Sequence, residues 1–222
     1  MREFARYGLK LQSVSSAGDI GLDQTSGLRV HRPKARQRQA FAARRLERAP
    51  GLHMTSSSAG KVYAAGAWAS EIWSLRATGA SPAVVTRLRR RKASASITMR
   101  PKMCLTSYFA VTGSPKDANG DPAILLPTMQ VREWLHLWFG DVALRQSVRA
   151  VWAGALSAVR KLPSQARWGR VRGPLGGLLV QLEALGWNIT QADDWTSDEG
   201  YRFVFTEEVN DGLPAKITPL LV

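Results

Sequence analysis

The chain has 222 residues, 31 Lys and Arg against 17 Asp and Glu, and a net charge of +14, which suits one medium-sized domain or a smaller one with extended segments. An apolar fraction of 45% is enough for a sizeable core, and eight tryptophans supply large buried faces if they cluster. One cysteine, Cys104, excludes an internal disulfide and fits a reducing compartment, and no apolar run approaches the ~18–20 residues of a membrane span.

The segment after Met1 has no apolar stretch of the signal-peptide kind, so a soluble, intracellular protein without membrane association is expected. Residues 1–33 read as extended. Tyr7 to Val14 alternates like a strand, and Gly18-Asp19-Ile20-Gly21-Leu22-Asp23 reads as a turn or short extended piece. Residues 34–49 read as a helix with a thin apolar stripe, Phe41 and Leu46 among alanines, ended by Pro50-Gly51. Such a helix mainly carries arginines. Lys61 to Ser74 brings Val62, Tyr63, Trp68, Ile72 and Trp73 into near-helical spacing and predicts one buried helix. Ser81-Pro82 marks a further helix start. Val84, Val85 and Leu88 line it, and Arg87, Arg89, Arg90, Arg91 and Lys92 surround it.

Residues 112–123 are rich in turn formers and read as a disordered surface loop. Helices are expected over Met129–Phe139 and from Leu144 to Val159, the second with the cleanest three–four periodicity. Pro174 opens a last helix that Gly186 closes. After the turn Ser197-Asp198-Glu199-Gly200, Tyr201, Phe203 and Phe205 alternate as one arm of a short β-hairpin, and residues 206–222 read as frayed. The expected fold is mainly α, an irregular helical bundle. It has a short β-hairpin near the C-terminus, a second small hairpin near the N-terminus and disordered termini. Its segments are an N-terminal extended piece (1–33), a basic helical region (34–111), a loop (112–123), a helical connector (124–187) and an acidic hairpin and tail (188–222).

Chemistry is thin. His31, His53, His136 and Cys104 share no metal-ligand spacing, so neither metal nor cofactor is expected. Asp193-Asp194 lacks the apolar strand–turn–strand of a magnesium-binding pair and reads as a loop that caps the next element. Gly173-Pro174-Leu175-Gly176-Gly177 lacks the Gly-Lys-Ser/Thr ending of a phosphate loop and reads as a helix start, although N–H groups beside Arg170 and Arg172 suit a phosphate. Charge is the stronger signal. Arg29 to Arg48 holds eight cations and one acid, Arg87 to Lys102 seven and none, and Arg145 to Arg172 seven and none. After Gln181, eight acids face only Arg202 and Lys216. Three blocks without interleaved acids point to a polyanion, and nucleic acid is the commonest one. Trp168, between Arg167 and Arg170, reads either as a base-stacking residue or as core.

The order of segments resembles the region downstream of the catalytic palm, the thumb and connector, in reverse transcriptases of non-LTR retrotransposons. The residues that carry this likeness are Gly18 to Asp23, the Arg-rich helix, Lys61-Val62-Tyr63-Ala64-Ala65-Gly66-Ala67-Trp68-Ala69, the basic helix from Ser81, residues 121–139 and Gly186-Trp187-Asn188. Ala69 and Ser74 stand where that family tends to have Pro and Gly. The resemblance implies a fragment or remnant that grips template–primer backbone through RNA or DNA phosphates. The family's Tyr/Phe-x-Asp-Asp motif is missing, so no catalysis is expected. The implied phosphate contacts are Arg36, Arg38, Arg44, Arg45, Arg87, Arg89, Arg90, Arg91 and Lys92, with Arg170 and Arg172 at the last helix start. Two other readings stay open. One is an interaction module docking a partner protein through exposed apolar surface, its faces built from Trp134, Trp138 and Trp152. The other is a degenerate reading frame.

Overall fold

The computed structural model describes residues 16–19, 22–25, 33–48, 63–95, 103–112, 120–140, 142–171 and 173–205. The expected strand at Tyr7–Val14, the frayed segment 206–222 and most of the 112–123 loop lie outside them. A mainly helical chain with a short antiparallel hairpin near its C-terminus is what the structure shows.

Strands β1 (Ser16–Asp19) and β2 (Leu22–Thr25) pair antiparallel, Ser16 with Thr25 and Asp19 with Leu22. Helix α1 (Pro33–Arg48) packs on β2 and on the segment after it. Over the stretch Lys61–Ser74, where one buried helix is expected, the described chain is helical from Tyr63 to Ile72, a π-helical segment (Tyr63–Trp68) running into α2 (Ala69–Ile72), and α3 (Leu75–Thr78) follows after a turn. Tyr63, Ala67, Trp68, Glu71, Ile72, Ser74 and Leu75 are all buried and fall on one half of the helical turn, so the segment is amphipathic as its spacing predicts. The wider π turn and the break after Ile72 re-aim the chain. Ala42 of α1 lies against this segment, and small residues let the backbones approach.

Helix α4 (Pro82–Ala95) starts as its Ser-Pro signal requires: the Ser81 hydroxyl accepts the Val84 N–H at 3.4 Å. Helix α5 (Leu105–Thr112) gave no periodic signal. It is held to α4 by a small cluster of Ala93, Tyr108 and Phe109. Helix α6 runs from Pro122 to Gly140, seven residues earlier than Met129, and contains Pro127. The early start has two supports. The Asp121 carboxylate accepts the Ala123 N–H at 2.9 Å, and Leu125 and Leu126 are buried in the first core. Those contacts outweigh the backbone donor that Pro127 removes.

Helix α7 (Val142–Arg160) follows, then a short α8 (Ser164–Arg170) and α9 (Pro174–Ala184). Gly186, at φ +78°, ends α9 in a Schellman turn. Its own N–H reaches the Glu183 carbonyl at 3.2 Å, and the Trp187 N–H reaches that of Leu182 at 3.1 Å. This turn delivers Trp187 into the core. Strands β3 (Asp194–Thr196) and β4 (Arg202–Val204) pair Trp195 with Phe203, while Asn188 bridges the other edge of β3 at Thr196. Gly200, at φ +89°, closes the loop between the strands.

Two cores result. The first joins α1, the π-helical segment, α2, α3, α4 and the start of α6 through Trp68, Ile72, Leu75, Leu88 and Leu126. The second is aromatic. Trp152 stacks on Trp195 (centroids 6.2 Å apart), Trp187 on Phe203 (5.8 Å), and Phe205 meets the Trp195 ring edge-on (4.7 Å). The cores meet where α3 packs on α6 and α9. A Cβ at Gly177 would lie 2.0 Å from the Thr78 carbonyl oxygen, so only glycine fits there. Gln130 seals the crossing. With its amide oriented to match its neighbours, its oxygen accepts the Leu178 and Gly79 N–H groups at 2.9 and 3.3 Å. No described helix is long and apolar enough to cross a membrane.

Candidate nucleic-acid interface

The second basic block faces two ways. Arg91 and Glu71 form an ion pair in which the carboxylate is almost fully enclosed, and the Tyr63 hydroxyl donates to the same carboxylate at 3.0 Å. Burial, with the adjacent Glu71 charge, pushes the Tyr63 phenol above its ordinary range. Arg89 donates to Asp121 at 2.7 Å and to the Thr106 hydroxyl at 3.1 Å, joining α4, α5 and the α6 cap. Lys92 is buried at 7% exposure, its ammonium 4.5 Å from the Trp68 ring centre and donating to the Gly120 carbonyl. Burial lowers its pKa to about 8, against the opposing pull of Asp121. These three cations are internal fasteners. Arg87 and Arg90 of the same helix remain exposed.

The first block is different. Arg36, Arg44 and Arg45 are exposed, and Arg38 is half-buried. Arg45 lies 4.3 Å over the exposed Phe41 ring. None of Arg36, Arg44 and Arg45 is ion-paired among the described residues. Gln39 couples this helix to α4. Its side-chain oxygen accepts from Arg87 at 2.7 Å and its backbone carbonyl from Arg91 at 3.5 Å. Gln39 thereby links the two basic helices at one point, and Arg36, Arg44, Arg45, Arg87 and Arg90 are exposed on them.

The third block is partly neutralised by acids that follow it, two carboxylates pairing with three of its seven cations. Arg149 pairs with Asp193 at 2.8 Å, and Glu183 takes Arg160 at 2.8 Å and Arg167 at 3.6 Å. Arg145 is buried in α7. Arg170 is exposed and has no ion pair among the described residues, and Arg172 lies outside them. The Asp193-Asp194 pair is taken up by arginine. Arg202 donates to Asp194 at 2.9 Å, and this bond holds that carboxyl below its usual range. Among the described residues no group of three His, Cys, Asp or Glu is placed to hold a metal.

The aromatic expectations are corrected. Trp134, Trp138 and Trp152 are 6%, 2% and 2% exposed and form the second core, so they offer no docking face. They went inside because α6 and α7 pack their apolar stripes on each other and on the hairpin. Trp168 is half-buried, and its ring edge would meet a Cβ on Gly79 at 2.8 Å, so it seals the junction between the cores. A scan against family models and searches of curated proteins and of solved structures find no match to this chain.

Proposed function

We propose that the chain binds nucleic-acid backbone through the joint surface of α1 and α4, without catalysis of its own. The observation that carries this reading is the link between the two blocks at Gln39, which ties the helix of Arg87 and Arg90 to one whose Arg36, Arg44 and Arg45 are exposed and have no acid partner among the described residues. Arginine on an exposed helix face donates to phosphate oxygens in forked pairs. Contacts of that kind fix position and carry little sequence preference. The retroelement origin, a thumb and connector remnant, rests on the sequence resemblance alone.

The test is fluorescence anisotropy with a labelled RNA–DNA hybrid across a salt series. Four charge reversals, Arg36→Glu, Arg44→Glu, Arg45→Glu and Arg90→Glu, are expected to weaken binding. They should also reduce the slope of log K against log salt by roughly 0.9 for each phosphate no longer neutralised. All four side chains are exposed, so circular dichroism should stay unchanged. Binding that keeps its affinity and slope in the variant would sink the assignment.

A further inference from the structure

A cavity of about 560 Å³ opens between the C-terminal half of α7, α8 and the start of α9. Its size falls in the range of small-molecule sites. Ala155, Val159, Leu162, Val171, Leu175 and Val180 make its wall apolar. Two arginines stand on its lining, and they are not equivalent. Arg167 lies 3.6 Å from Glu183, which it shares with Arg160, and donates to the Leu162 carbonyl at 3.2 Å, so its charge is partly met and its guanidinium is held in place. Arg170 is exposed and has no ion pair among the described residues. The cavity therefore presents an apolar interior with Arg170 at its edge, a cation without an ion pair among the described residues. The first turn of α9 completes the same rim with Gly173, Pro174 and Gly176, and no side chain caps it, so its positive end adds to the field of Arg170.

We propose that this cavity binds a small amphiphilic carboxylate, a medium-length acyl chain whose tail fills the apolar interior and whose head group pairs with Arg170. The balance of surfaces selects this occupant. A sugar–phosphate strand is polar along its length and would leave the wall of Val159, Leu175 and Val180 facing water. A neutral apolar molecule would leave Arg170 unused. An acyl carboxylate meets both, and it is ionised at neutral pH. The site is separate from the α1–α4 surface, so the two proposals stand or fall independently.

Calorimetric titration of the full chain with decanoate, decanol and acetate tests it. Decanoate is expected to bind, decanol to bind about tenfold more weakly because it lacks the charge-assisted bond, and acetate to give no measurable heat. Arg170→Gln should bring decanoate down several-fold, toward the affinity of decanol, and leave decanol unchanged. Ala158→Phe, at an exposed lining residue, should obstruct the cavity and weaken both ligands while the helical dichroism persists. Equal binding of decanoate and decanol to the unaltered chain, indifference of decanoate to Arg170→Gln, or no binding by a folded chain would each overturn the proposal.

Discussion

Single residues divide this protein's cations into two populations. Arg91 is paired with an enclosed carboxylate, so Arg91→Ala strands Glu71 without its counter-charge. The expected cost is about 3–5 kcal/mol in urea unfolding. Arg90→Ala, one position earlier and exposed, should stay within about 0.5 kcal/mol of the unaltered chain. Equal effects at the two positions would refute the division. Lys92 adds a pH signature. Its folded pKa of about 8 lies below the ordinary 10.5, so the folded state disfavours the charged form. The penalty is complete below pH 8, fades between 8 and 10.5 and is absent above, because over that interval the unfolded chain holds the extra proton. Lys92 therefore gains relative to Lys92→Met as pH rises through that window, which paired urea midpoints across a pH series would show. Gly177→Ala sets a methyl against the Thr78 carbonyl and should cost at least about 1–3 kcal/mol, the usual range for overpacking.

At the level of elements, the second core depends on rings contributed by α6, α7, the turn after α9 and the hairpin. Trp152 donates its indole N–H to the Ile189 carbonyl at 2.8 Å while stacking on Trp195. Trp152→Ala should thus lose both the packing and the bond, about 3–5 kcal/mol by thermal or urea denaturation, with loss of the near-ultraviolet dichroism of the cluster. The helices with end signals were legible in the sequence: Ser81-Pro82 for α4, Pro174 and Gly186 for α9, and the alternation of Tyr201, Phe203 and Phe205 for the hairpin. Local chemistry sets those ends. The π-helical segment was not legible, because its apolar spacing is the same as that of an ordinary amphipathic α-helix. Helix α5 was not legible either, since eight residues with one small cluster give no sustained period. The early start of α6 was hidden behind Pro127, which ordinarily ends a helical reading. For the interface, the sequence showed where charge is dense but not which cations have partners. Glu71 lies twenty residues from Arg91 in sequence, and Asp121 thirty-two from Arg89, so only the folded chain separates fasteners from free arginines.

Over the whole molecule, the reversal of charge after Gln181 takes on an internal meaning. Asp193 and Glu183 are counter-charges for Arg149, Arg160 and Arg167, so the acidic end reduces the charge of the third block, whereas the exposed arginines described on α1 and α4 have no such acids. Asp193→Asn is then expected to add positive field around α7 and increase salt-sensitive, non-specific RNA binding modestly. The same anisotropy series would read this, and an unchanged slope would argue against it. The exposed apolar residues, such as Val111, Leu137 and Val151, are single positions, and solitary apolar residues are ordinary on a folded surface.

The fit of Gly177 against Thr78 also bears on the order of events during synthesis. A ribosome releases α3 long before it makes α9, so the carbonyl end of α3 has no cover while the intervening helices emerge. Closing that junction brings together segments from opposite halves of the chain, and long-range closure of this kind slows folding. Until the last helix arrives, the growing polypeptide carries an unsealed seam, and released chains that end before Gly177 should be more open to protease in the first core than the full chain.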